Sequence, residues 1–143
     1  MEENSQSAEK IKLDFKESMY ATGRRKTSIA KIWLKKGTGK IFVNGKNFQD
    51  YFSSDTHKMQ ILRPFEIIDQ ATQYDVRCQV VGGGHTGQAG AMVHGISRAL
   101  VKFDENFKTT LRKEKLTTKD SRSVERKKPG RAKKRKSYQF SKR

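Results

Sequence analysis

The stretch Gly82-Gly83-Gly84-His85-Thr86-Gly87-Gln88-Ala89-Gly90 decides how this chain folds. Upstream of it, Val76, Cys78 and Val80 alternate with Asp75, Arg77 and Gln79, the period of two that marks a half-buried strand. Downstream, Ala89, Met92, Ile96, Ala99, Leu100 and Phe103 recur at helical spacing and predict a helix from the glycines to Leu100. The reading is strand, glycine turn, helix. Three consecutive glycines lose much backbone entropy on folding, and they fit where φ turns positive or another backbone comes very close. A helix that opens on such a turn presents unpaired N–H groups to an anion. Gly83 and Gly84 are therefore candidate phosphate contacts. The plainer alternative is a tight turn that only packs a helix on a sheet.

Gly82, Gly84 and Gly87 also spell G-x-G-x-x-G, with Asp104 about 20 residues on, as in a dinucleotide site. That fold needs a second parallel strand ending at the acid. Here Ala99 to Asp104 continues the helical stripe, and the chain beyond it turns polar and then basic. No nucleotide cofactor and no small-molecule substrate are expected.

Charge supplies the second clue. The 143 residues suit one domain with a modest core, and 32 Lys and Arg face 15 Asp and Glu, a net charge of +17. Such a field attracts nucleic acid or an anionic surface. A membrane is not the expected partner, because no apolar run approaches the ~18 residues that a span requires. The acidic start, Met1-Glu2-Glu3, resembles neither a secretory signal nor an Arg-rich transit peptide. Cys78 stands alone on the apolar side of its strand, a small core hydrophobe suited to a reducing compartment. The excess charge is uneven. Residues 1–111 carry 17 basic and 12 acidic side chains, whereas residues 112–143 carry 15 basic and 3 acidic. Three regions follow: an N-terminal arm over 1–17, a globular domain over 18–111 and a basic tail over 112–143.

In the arm, Ile11, Leu13 and Phe15 alternate and could add an edge strand. Tyr20 to Leu34 reads as a strand with a bulge or bend at Gly23, where the basic cluster Arg24-Arg25-Lys26 sits. That cluster is either a solvated patch or a phosphate contact. Lys36 to Lys40 reads as a turn, and Ile41-Phe42-Val43 as a short strand stopped by Asn44-Gly45, which signals a hairpin. Phe48, Tyr51 and Phe52 form an aromatic packing cluster. Thr56 to Gln70 is helical but contains Pro64, so two short helical pieces or a helix and a bend are expected. On the long helix, His94, Arg98 and Lys102 recur every fourth residue as a ridge opposite Met92 and Ile96. The glycines beside it favour a phosphate-contacting face over a merely solvated one. Asp104 is the expected N-cap of a second helix whose buried side carries Phe107 and Leu111.

From Arg126 to Arg143 there are ten Lys or Arg and no acid: Arg126, Lys127, Lys128, Arg131, Lys133, Lys134, Arg135, Lys136, Lys142 and Arg143. Self-repulsion and the near-absence of apolar residues keep such a segment from folding alone. It reads as a nucleic-acid arm, with a nuclear-import signal as the competing explanation. Tyr138 and Phe140 favour the arm, since aromatics between cations stack on bases. No catalytic or metal-binding set is visible around His57, His85 or His94, and no enzyme is expected.

Three segments together resemble a known family. Gly82-Gly83-Gly84, Gly87-Gln88, Ala91, Gly95 and Ser97-Arg98-Ala99-Leu100 resemble the signature of the universal small-subunit ribosomal protein nine, bacterial type. Tyr20 to Ser28 and Arg126-Lys127-Lys128-Pro129-Gly130-Arg131 leading to Ser141-Lys142-Arg143 resemble the same family, in the same order. The resemblance implies an α/β (two-layer α+β) domain with a small mixed sheet of about four strands packed by two main helices. It further implies a likeness to the second domain of ribosomal protein five, with a left-handed β-α-β crossover and an extended tail. It implies a cytoplasmic, structural component of the small-subunit head that binds the 3′ major domain of the rRNA beside neighbouring head proteins. The basic cluster, the glycine turn, the helix ridge and the tail cations become the candidate rRNA contacts. Ser141, Lys142 and Arg143 become the residues that touch the anticodon stem-loop of peptidyl-site tRNA.

Overall fold

The computed structural model describes residues 17–142; the arm read at Ile11, Leu13 and Phe15, and the terminal Arg143, lie outside the described residues. Strand β1 (Met19–Arg25) turns directly into β2 (Ser28–Lys36), paired antiparallel from Arg25↔Ser28 to Met19↔Leu34. The single bulged strand expected over Tyr20 to Leu34 is thus a tight hairpin. Lys26 adopts left-handed backbone, φ 52°, and this reverses the chain where a bulge would only bend it. Strand β3 (Ile41–Val43) and β4 (Lys46–Asn47) form a second hairpin around Asn44 and Gly45, both at positive φ, as that dipeptide predicts.

Helix α1 (Phe48–Tyr51) is one turn, capped by the Asn47 side chain, which accepts from the Gln49 N–H. Helix α2 (Asp55–Ile67) runs through Pro64 without dividing, contrary to the expected break. The hydrogen bond that proline forfeits is to the carbonyl of Gln60, an exposed residue, while the Pro64 ring itself is buried with Ile61 and Phe65. Strand β5 (Tyr74–Val81) and helix α3 (His85–Phe103) match the strand–turn–helix reading. Asp104 ends α3 and its Oδ1 accepts from the Asn106 N–H, while the residue directly before α4 (Phe107–Lys113) is Asn106, which makes no side-chain cap. Leu111 is fully buried and Leu116 packs against the core, after which the chain leaves it.

The five strands lie in the order β1-β2-β5-β3-β4, with β3 parallel to β5 and all other pairs antiparallel. The sheet is therefore mixed, and its fifth strand is the two-residue β4. Strand β5 inserts between β2 and β3, and α1 and α2 make the crossover from β3 to β5. Ala21, Ala30, Ile32, Leu34, Ile41, Val43, Val76, Cys78 and Val80 all point to one face and are buried there. Helix α3 covers that face with Met92, Ile96 and Leu100, and burial pushes the Cys78 thiol pKa up.

Helix and sheet touch backbone to backbone at one crossing. A methyl group on Gly23 would sit 1.9 Å from the Ala91 carbonyl oxygen and 2.3 Å from the Gly95 nitrogen. One on Gly95 would meet Ile32 Cγ1 at 2.7 Å. The contact at Gly23 cannot be relieved by a rotamer change, because the obstacle there is main chain. Gly84, by contrast, has φ −103° and nothing within 4 Å. Gly23→Ala should lower unfolding free energy by about 3 kcal/mol or prevent folding. Gly84→Ser, which adds an N-cap hydroxyl, should stay within about 0.5 kcal/mol of the parent or gain slightly. Chemical denaturation of the two variants checks the contrast.

Candidate nucleic-acid interface

The glycine turn is built from both sides. Gly82 and Gly83 have φ of 76° and 61°, and a methyl on Gly83 would meet Ser28 Oγ at 2.1 Å. Buried Ser28 donates its hydroxyl to the Gly82 carbonyl at 3.0 Å, and Gln88 Nε2 donates to the same oxygen at 3.1 Å. Tyr51 in turn donates to Gln88 Oε1 at 2.8 Å. Gly83 is thus required by backbone conformation and space, whereas Gly84 is required by neither. Gly84 is the N-cap of α3 and makes no side-chain cap. The first amides of this 19-residue helix lack helical acceptors and open beside exposed Gly83, Gly84 and His85.

The ridge on α3 is turned against the outer edge of β1. Arg98 Nη1 donates to the Thr22 carbonyl at 2.7 Å and Lys102 Nζ to the Tyr20 carbonyl at 2.9 Å. The Arg24 N–H donates to His94 Nδ1 at 3.2 Å. The steps match because four helical residues rise about 6 Å and two strand residues about 6.8 Å. The ridge therefore satisfies main-chain groups that an edge strand would otherwise leave open. Helical spacing placed the three residues on one face; only the tertiary structure shows what that face meets. Burial lowers the His94 pKa, Arg98 and Lys119 lower it further, and a hydrogen bond with the Thr117 backbone opposes them.

Arg24 and Lys26 are exposed, but Arg25 is half-buried. Its stem lies over Gly90, its Nη1 donates to the Arg122 carbonyl at 2.6 Å, and its Nη2 is 3.4 Å from Asp120. Hydrogen bonds from Arg122, with the nearby Arg25 charge, hold the Asp120 carboxyl well below the usual carboxylate range. These contacts tie the root of the tail to the β1–β2 turn. Between them lies a cleft of about 330 Å³ whose walls include Arg24, Arg25, Arg63, His94 and Lys115, with Asp120 as its single acid. Arg63 and Lys115 were not singled out in the sequence. Arg63 stands between Leu62 and Pro64 on α2, and no spacing rule links it to a cluster 38 residues earlier.

Beyond Val124 the chain forms neither helix nor strand through Lys142. Arg126, Lys127, Arg131, Lys133, Lys134, Arg135 and Lys136 are exposed, and Lys128 is half-buried by its pair with Glu125. Glu125 also holds Arg135 at 3.1 Å, and Gly130 at φ 75° makes the turn after Pro129. Ser141 and Lys142 are exposed. Among the described residues, no group of His, Cys, Asp and Glu is placed to hold a metal, and no helix is long and apolar enough to cross a membrane.

A small mixed-sheet domain with a cationic cleft and a long basic tail suits a protein that sits among polyanions. Residues 23–143 match the family described as ribosomal protein S9/S16, and the chain belongs to that family, a group of small-subunit ribosomal proteins of the translation machinery. It is 54% identical over 136 residues to small ribosomal subunit protein uS9 of Rickettsia canadensis (strain McKiel), which covers 95% of this chain and 84% of that protein. The uS9 proteins of Rickettsia felis and Rickettsia typhi are each 54% identical over 134 residues, covering 94% of this chain and 83% of each relative.

The depressed His94 pKa carries a stability consequence. The unfolded imidazole titrates near 6.5 and the folded one lower, so protonation favours the unfolded chain. The contribution is complete above about pH 6.5 and is lost as pH falls through the folded-state value. Denaturant midpoints should therefore drop between about pH 7.5 and pH 5.5, and His94→Gln should show a smaller drop over the same window.

Proposed function

We propose that this chain anchors on the 3′ major domain of small-subunit rRNA, in the subunit head beside neighbouring head proteins, and extends its tail to the peptidyl-site tRNA. Family membership supports the ribosomal setting, and the observation that carries the rest is the tail: ten cations in residues 126–143, almost all exposed, with no core of their own. Such a segment gains order only against phosphates. Eighteen extended residues reach roughly 60 Å, enough for a domain on the outside of the subunit to deliver its terminus inside.

The anchoring contacts fall to Arg24 and Lys26 at the exposed hairpin turn, and to the open amide end of α3 at Gly83 and Gly84. Arg25 holds the tail root, and His94, Arg98 and Lys102 hold β1, so these four act on rRNA chiefly by fixing the surface around them. Along the tail, Arg126, Lys127, Lys128, Arg131, Lys133, Lys134, Arg135 and Lys136 neutralise rRNA phosphates. Ser141, Lys142 and Arg143 meet the anticodon stem-loop, where phosphate contacts stabilise any tRNA alike without reading its bases.

Two truncations separate anchoring from function. Removing residues 126–143 should flatten the slope of log K for rRNA against log salt by roughly 6–7 units, since each phosphate met by the eight cations from Arg126 to Lys136 contributes about 0.7–0.9. Removing only residues 141–143 should leave assembly into small subunits intact and speed peptidyl-site tRNA dissociation several-fold. Salt-titrated filter binding checks the first. Dissociation rates from purified subunits check the second, and equal rates would make the terminus one more rRNA contact.

A further inference from the structure

Stability does not account for the residue that ends α4. The Lys115 N–H donates to the Arg112 carbonyl at 3.0 Å and the Leu116 N–H to the Leu111 carbonyl at 3.2 Å, the paired bonds that close a helix C-terminus. Leu116 packs against the core, as the residue after such a turn commonly does. Lys115 occupies the left-handed position of the turn, φ 58°, which glycine fills without strain and lysine does not. The chain thus gives up stability to hold a lysine there, and that lysine lines the cleft.

The walls of the cleft come from the end of β1, from α2, from α3 and from the tail root that follows α4. Most of their charged groups are already matched. Arg25 is held by Asp120 and the Arg122 carbonyl, Arg63 Nη2 pairs with Glu114 at 2.9 Å, and burial keeps His94 neutral near pH 7. Among the described residues, no hydrogen bond or ion pair engages the side chain of Arg24 or of Lys115, and both residues are exposed. Two unmatched cations therefore share one cavity, one supplied by the domain and one by the tail root. Its volume of about 330 Å³ is at the small end for ligand sites, with room for one nucleotide unit and not for a folded partner. A carboxylate is planar and suits a single guanidinium. The tetrahedral oxygens of a phosphate can meet an arginine fork and a lysine point charge together.

We propose that the cleft is a phosphate site shared between the domain and the tail root, and that a backbone phosphate of rRNA occupies it between Arg24 and Lys115. The proposal rests on the reading that the chain binds rRNA. It goes beyond that reading in what the contact does: a phosphate held from both parts fixes the direction in which the tail leaves the domain. Arg25 and Asp120 fasten the tail root at one point, and a phosphate on Lys115 fastens it at a second.

Lysine acetylation read by mass spectrometry measures access to Lys115 in the full chain, with exposed Lys108 of α4 as the reference. A transcript of the 3′ major domain should slow labelling of Lys115 several-fold and leave that of Lys108 unchanged. Lys115→Gly should unfold at an equal or higher denaturant midpoint, yet lower the slope of log K against log salt by about 0.7–0.9. Lys108→Gln should leave that slope as it is in the parent. A lower midpoint with an unchanged slope in Lys115→Gly would make the lysine a structural residue and overturn the proposal. So would equal labelling of Lys115 in the free chain and in a transcript complex that forms. Lys115 that is shielded in the free chain until residues 1–16 are removed would make that segment the occupant, which also overturns it. Inorganic pyrophosphate tests the cleft without RNA. If it shields Lys115 in the parent but not in Arg24→Gln, while the transcript fails to bind, the phosphate site is supported and the rRNA reading falls. If neither pyrophosphate nor the transcript shields Lys115, the phosphate site itself is overturned.

Discussion

The main chain of α3 lies directly against the main chain of β1 because Gly23 and Gly95 carry no side chains at the crossing. A helix and a strand brought that close set the depth of the whole layer. Met92, Ile96 and Leu100 are fully buried in one core cluster with Ile32, Leu34 and Val76, although the domain is small. The same closeness brings His94, Arg98 and Lys102 within hydrogen-bonding distance of the outer edge of β1. With a larger residue at the crossing the helix would ride higher, and those rungs would lose their partners. The edge strand would then be open to a second chain.

Charge is handled differently in the body and in the tail. The body uses its acids as structural acceptors: Asp75 ties down the loop before β3, Asp104 shapes the link to α4, and Asp120 fastens the tail root to Arg25. Past Asp120, Glu125 alone offsets a run of cations, and that run has little apolar surface to bury. The molecule is thus a packed domain joined to an exposed segment without helix or strand. Arg25 sits at the junction. Its stem fills the space over Gly90 and its guanidinium fixes where the tail leaves the domain, so the basic cluster both presents charge and directs the tail.

Local pattern carried much of the fold. The alternation of Val76, Cys78 and Val80, the apolar stripe of α3 and the Asn44-Gly45 turn each depend on neighbours in sequence, and each was read correctly. The tail was equally plain, because composition alone prevents it from having a core. The reading failed where a local signal had two geometric outcomes. Lys26 could bend a strand or reverse it, and Pro64 could break a helix or pass through one. In both places the outcome rested on burial and backbone dihedrals that only the packed structure supplies.

The candidate site divides in the same way. From residue types alone came the cationic tail, the glycine turn and the ridge at every fourth residue, since charge, backbone freedom and helical period are properties of the chain itself. What the ridge touches depends on the 70 to 82 residues between each ridge member and its partner on β1, a separation that no local rule spans. Tertiary structure alone decided that Gly83 is required and Gly84 is free, because Ser28 comes from another strand to crowd one and not the other. It also brought Arg63 and Lys115 to the cleft, and set Tyr20, Trp33 and Arg77 in one row across three strands. Strand register is a long-range choice, made by which faces can be buried together, and the sequence of any one strand leaves it open.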